Sequence, residues 1–235
     1  MIDSISFEFE KRISEVEYYF YCLEQLYEFS DQKQSEVLKR KMNHETYDFQ
    51  DFLIILKANS FIVLYNLVEA SIKNFILSIY DVVTMQNLTY NEVCSELKNM
   101  WIEVYYDSLG HTTTNYSQHK SKAKDMIEFI IDEKKVEFGS EVKLSGNADL
   151  KNIKKVFNNH GLDLSSTITQ YVGGGLLEVK NKRNNIAHGN ISFVDGGRDS
   201  SLSDLCRYKE EIIKFLTELE NVVKGYIDNQ EYMKR

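Results

Sequence analysis

The spacing of apolar residues near the C-terminal end constrains this chain most. Leu205, Tyr208, Ile212, Phe215, Leu219, Val222 and Tyr226 recur at alternating steps of three and four. On an α-helix those steps draw one apolar stripe, which must pack against partner helices. Just upstream, Ser201-Leu202-Ser203-Asp204 has the form of a capping box, with aspartate in place of the usual glutamate. Phe9, Ile13, Val16, Phe20, Leu23 and Tyr27 repeat the pattern and predict a helix over 4–29. A second long helix is predicted from about Tyr47 to Val83, with Leu64, Val68, Ile72, Phe75, Ile76 and Ile79 on one face. No proline occurs in the 235 residues, and proline is the residue that breaks helix interiors.

Shorter helices fill the rest. One is expected over 89–108 around Leu97, Trp101 and Val104, and another over 119–132. Residues 110–118 are polar and read as a loop. Val136-Glu137-Phe138 and Glu141-Val142-Lys143-Leu144 alternate around Gly139, the pattern of a small β-hairpin. Asn147 is expected to cap a helix at 148–158, and Gly173-Gly174-Gly175 to act as a hinge before a helix at 176–187. Gly189 is the helix stop, and 190–200 reads as a Gly/Asp/Ser loop. Together these give an all-α fold. It is a bundle of long antiparallel helices in one domain over 1–235, with a loop-rich insertion at roughly 86–146.

Composition narrows the function classes. The chain is 43% hydrophobic and 27% charged with a net charge of -8, enough apolar content for a core and no basis for a broad basic coat. Cys22, Cys94 and Cys206 are odd in number and far apart, as expected of reduced, mostly buried thiols in the cytoplasm. Met1-Ile2-Asp3-Ser4 lacks the basic-then-apolar form of a secretory leader. The most apolar stretch, Phe52 to Tyr80, is interrupted by Lys57, Asn59, Asn66, Glu69, Lys73 and Asn74, so a core helix is expected there and no membrane partner. His111 and His119 have no cysteine or carboxylate completing a metal spacing, and His44 and His160 are isolated. No metal and no cofactor is expected.

One run carries chemistry: Lys182-Arg183-Asn184-Asn185-Ile186-Ala187-His188-Gly189. Arginine offers a permanent charge and a planar fork of donors that fits phosphate oxygens. Histidine exchanges a proton near neutral pH. Metal-independent RNA cleavage uses both. His188 would act as general base or acid, Arg183 would stabilise the pentavalent phosphate, and Asn184 would orient the phosphate or the imidazole. On a regular helix, residues five apart point about 140° away from each other, whereas Asn184 and His188 share a face. One copy supplies a single histidine and a single arginine, so in-line transfer implies two copies meeting across a two-fold axis. The plainer reading makes Arg183 a surface ion-pair partner and His188 a residue favoured by the helix dipole. Lys180 and Lys182 flank the run and are candidate RNA-binding residues, with Lys151, Lys154 and Lys155 as a second basic cluster. Asn66 and Glu69, polar on an apolar helix, are candidate supports for Arg183 or partners of a neighbouring lysine.

The run resembles the Arg-x4–6-His motif of the HEPN superfamily, in which Ala-His-Gly is a frequent ending. Lys57-Ala58-Asn59, Leu64 to Ala70, Ile79-Tyr80 and Gly146-Asn147-Ala148-Asp149-Leu150 are similar to a bacterial HEPN-like nuclease branch. The resemblance implies an all-α bundle, a homodimer, and endoribonuclease activity in toxin or phage-defence settings. Its functional residues carry over onto Arg183, Asn184 and His188. The partners it implies are RNA, a second copy, and an antitoxin or partner effector. The alternative is a non-catalytic HEPN module that binds or dimerises to regulate such an effector.

Overall fold

The computed structural model describes residues 2–108, 116–139, 142, 148–164, 170 and 172–234. Its helices are α1 (Ile2–Ser30), α2 (Glu36–Met42, after a 3-10 turn at Lys33–Ser35), α3 (Phe49–Met85), α4 (Ser95–Ser108), α5 (Tyr116–Ile131), α6 (Leu150–Asn159), α7 (Gly173–Ala187), α8 (Phe193–Arg198) and α9 (Leu202–Asp228). No strand forms among the described residues, and the fold is all-α.

α3 is the axis on which α1, α7, α8 and α9 pack. Its six stripe residues, Leu64 to Ile79, are all buried. Each fully buried Leu, Ile or Phe contributes about 1.5–3 kcal/mol of transfer free energy. By length and composition α3 could cross a bilayer, but 44% of its most apolar window is buried inside the protein. α1 runs antiparallel to α3. Near one end the Phe9 and Phe75 rings meet edge-on at 5.4 Å, and near the other the Tyr19 hydroxyl donates to the Leu56 carbonyl. α9 instead runs in the same direction as α3. Lys57 donates to the Ser200 carbonyl at 2.8 Å where α9 begins, and Gln86 donates to the Tyr232 hydroxyl at 2.6 Å beyond its end. Leu205, Ile212, Phe215, Leu219 and Tyr226 are buried as the spacing predicts, while Tyr208 and Val222 are half-buried.

Helix starts follow local chemistry. Asp48 and Ser201 each complete a capping box with the aspartate three residues on. Four sequence expectations need correction. The cap of α6 is Asp149, whose carboxylate accepts from Asn152 N–H at 2.9 Å. Asn147 lies outside the described residues. Gly173-Gly174-Gly175 is no hinge but the first turn of α7. The stretch 190–200 contains α8, because Ser192 caps it and two glycines let it press close to its neighbours. Finally, Val136–Phe138 forms no hairpin arm. The ordered pairing there is an isolated bridge between Thr89 and Lys135, and most of the expected second arm lies outside the described residues. The expected loop at 110–118 also falls largely outside them, with Tyr116 already helical.

Candidate functional site

α7 carries the arginine and ends at the histidine. Its inner side is fixed by buried Leu176, Val179 and Ile186. Gly175 brings it against α9, where an added Cβ would stand 2.7 Å from Glu211 Oε2 and 3.3 Å from Tyr208 Cδ1. The C-terminal end is a Schellman motif. Gly189 adopts φ +71°, its N–H donates to Ile186 O at 3.1 Å, and Asn190 N–H donates to Asn185 O at 2.8 Å. The left-handed conformation is why a glycine stands there. His188 is the capping residue, with its N–H donating to Asn184 O at 2.9 Å and its side chain exposed. The backbone of the histidine is therefore fixed while its imidazole faces solvent.

Arg183 is held differently. Its guanidinium carbon lies 4.2 Å from the centroid of the Tyr65 ring on α3, a cation–π contact. Its Nη1 donates to Asn184 Oδ1 at 2.9 Å. Asn184 therefore orients the arginine and makes no hydrogen bond to the His188 imidazole among the described residues. Guanidinium has five N–H donors in one plane. Contact through a face and one N–H uses part of that donor set, and Arg183 makes no further hydrogen bond among the described residues.

Tyr65 is 2% exposed, and Ala148 N–H donates to its hydroxyl at 3.2 Å. Burial pushes its phenol above the ordinary value, and the Glu69 charge adds to this, while Ala148 N–H, Arg183 and Lys180 act against it. Tyr65 is thus a neutral ring at neutral pH. The next residue along, Asp149, pairs with Lys180 at 3.0 Å, with side chains 19% and 16% exposed. Burial raises the Asp149 carboxyl, but Asn152 N–H and the Lys180 ammonium outweigh it and hold the group below its usual range. Two bonds from residues 148 and 149 therefore tie the start of α6 to both α3 and α7.

The other sequence candidates are distributed unevenly. Lys180 and Lys182 each carry an ion pair, the first with Asp149 and the second with the exposed Asp199 at 3.1 Å. Glu69 is close enough to Tyr65 for its charge to be felt there, although it makes no ion pair with Arg183 among the described residues. Asn66 is exposed and faces away, lining a groove of about 370 Å³ with Arg12, Glu15 and Tyr19 of α1. Lys151 and Lys155 are exposed on α6 and Lys154 is half-exposed. His160, expected to be an isolated residue, is buried: Tyr80 donates to its Nε2 at 2.6 Å and its Nδ1–H donates to Val156 O at 2.7 Å. The three cysteines are unbridged and half-buried rather than buried. Cys206 donates to Glu24 Oε1 at 3.0 Å, and burial first, then that carboxylate, pushes its thiol up to about 11. No group of three or more metal-ligating side chains converges among the described residues. His111 lies outside them.

Sequence reasoning missed Tyr65 and Asp149. Each had a signal: an aromatic beside Glu69 on the longest helix, and an aspartate at a helix start near a lysine-rich turn. Neither signal says that α3 and α6 converge on α7.

A family model described as MAE_28990-like HEPN matches residues 1–232. No curated protein and no solved structure matches the chain. With an all-α bundle around α3, an Arg183–His188 run closing α7, and a family match spanning nearly every residue, the chain belongs to the HEPN superfamily, in its MAE_28990-like family.

Proposed function

We propose that this protein is a metal-independent endoribonuclease that acts as a homodimer in a toxin or phage-defence setting in the cytoplasm. The observation that carries the reading is the treatment of Arg183: a guanidinium fixed by a ring face and an amide, with no other hydrogen bond among the described residues, five residues before an exposed imidazole. The superfamily includes ribonucleases, which is the coarser support.

The chemistry balances without a cofactor. The ribose 2′-oxygen attacks phosphorus as one His188 imidazole takes its proton. The phosphorus–O5′ bond breaks, and O5′ leaves with a proton from the second copy's imidazole. The products are a 2′,3′-cyclic phosphate and a 5′-hydroxyl. Each proton transfer of this type is worth about 10²–10⁴ in rate. Arg183 meets the charge that develops on the non-bridging oxygens, where a fixed donor is worth about 10²–10³ in kcat.

The test is cleavage of a labelled RNA pool in EDTA by wild type, His188→Ala and Arg183→Ala, with light scattering on the same samples. Cleavage by wild-type dimer, lost in both variants, supports the enzyme. A wild type that cleaves nothing refutes it and favours the non-catalytic module that regulates a partner effector.

A further inference from the structure

Resting on the reading of Arg183 as the phosphate-stabilising group, we propose that Tyr65 is its positioning residue, holding the guanidinium by its ring face while its hydroxyl is pinned by Ala148 N–H. A guanidinium on a long, rotatable stem stabilises a transition state only if its donors already point at the oxygens. Two contacts fix it here. The ring sets the plane, with the guanidinium carbon 4.2 Å from the centroid, and Asn184 Oδ1 sets the rotation within that plane at 2.9 Å. The platform cannot swing, because Tyr65 sits in the core of α3 at 2% exposure and its hydroxyl accepts from Ala148 N–H. Its burial also denies it contact with substrate, so it acts through Arg183 and not on RNA. The same segment holds Lys180, three residues before Arg183, through Asp149. α7 is therefore clamped to α3 and α6 on the side where the arginine rests.

The experiment separates the ring from the hydroxyl. Tyr65→Phe keeps the ring face; Tyr65→Leu removes it; trifluorophenylalanine at 65 keeps the shape and weakens the π-charge. Two readouts are taken. One is the Arg183 Hε resonance without RNA, assigned by its loss in Arg183→Lys. The other is RNA cleavage in EDTA with kcat and KM separated. The expected results are an upfield-displaced Hε in wild type and Tyr65→Phe that returns toward its ordinary position in Tyr65→Leu. The expected kcat falls about tenfold in Tyr65→Leu and the fluorinated variant, with KM nearly unchanged and Tyr65→Phe close to wild type. An Hε resonance indifferent to all three changes, or a fluorinated variant with wild-type kcat, overturns the proposal. Should Tyr65→Leu fail to fold, the fluorinated variant decides. A wild type with no cleavage sinks the enzymatic reading, and the resonance then decides by itself whether Tyr65 holds Arg183.

Discussion

Gly197→Ala should be among the most damaging single-methyl additions to this protein. Gly197 sits in α8 where that helix meets α3, and an added Cβ would stand 2.1 Å from the Ile54 carbonyl oxygen and 3.0 Å from Ile54 Cγ2. A carbonyl oxygen inside α3 cannot retreat without loosening the ladder of the central helix, so α8 must lift instead. Overpacking of this kind costs about 1–3 kcal/mol, and an immovable backbone neighbour puts this case near about 3 kcal/mol. For a domain of this size 1 kcal/mol moves Tm by about 2–4 °C, so the expected fall is about 6–12 °C. Gly225 in α9 is the internal control, since nothing lies within 4 Å of its Cβ position. Gly225→Ala should raise stability by about 0.5–1 kcal/mol by removing helix-interior glycine. Thermal unfolding followed by circular dichroism at the helix band reads both variants. If Gly197→Ala melts within about 2 °C of wild type, or both variants shift alike, the close packing of α8 on α3 is wrong. The lift should also reach the site, because a Cβ on the adjacent Gly196 would already meet Ile186 Cδ1 at 3.0 Å, two residues before His188.

Asp149→Ala removes a helix cap and strands Lys180, and should cost about 2–3 kcal/mol by urea denaturation; Asp149→Asn, which keeps a capping oxygen, should recover part of that. Because the folded Asp149 carboxyl sits below its ordinary value, its stabilisation is present above the usual carboxylate range and is lost as pH falls through the depressed value, so the Asp149→Ala penalty should shrink in acid. His160 also titrates below its ordinary value, with burial as the first cause. The unfolded chain therefore binds its proton first, and stability should fall as pH drops below about 6.5, with a slope limited to about 1.4 kcal/mol per pH unit. His160→Gln should flatten that limb; an unchanged slope would mean that the Tyr80–His160–Val156 chain is not formed.

Much of the fold was legible because three helices advertise themselves by period. The stripes of α1, α3 and α9 fell where their spacing put them, and Ser201 capped α9 as its pattern required. What failed was local and glycine-rich. Gly173-Gly174-Gly175 and Gly196-Gly197 look like breakers, yet each lies in a helix, where Gly175 and Gly197 permit close approach to α9 and α3 that offsets the entropy glycine forfeits. His160 looked isolated because its partner Tyr80 lies eighty residues away. The site was half legible. Arg183 and Asn184 stand on α7 and His188 caps it, but whether Asn184 serves the arginine or the imidazole depends on side-chain geometry that period cannot express. The ion pairs of Lys180 and Lys182 were not legible because Asp149 and Asp199 are remote in sequence.

On the proposed function, the two motif side chains would meet an arriving RNA strand with unequal freedom. The guanidinium is seated before anything binds, whereas the exposed ring of His188 still turns about its own bonds. Ordering one such side chain on association costs about 0.5–1.5 kcal/mol. In that reading the guanidinium's share of the ordering is met during folding, and the imidazole rotor is the part of the motif left to settle when substrate arrives.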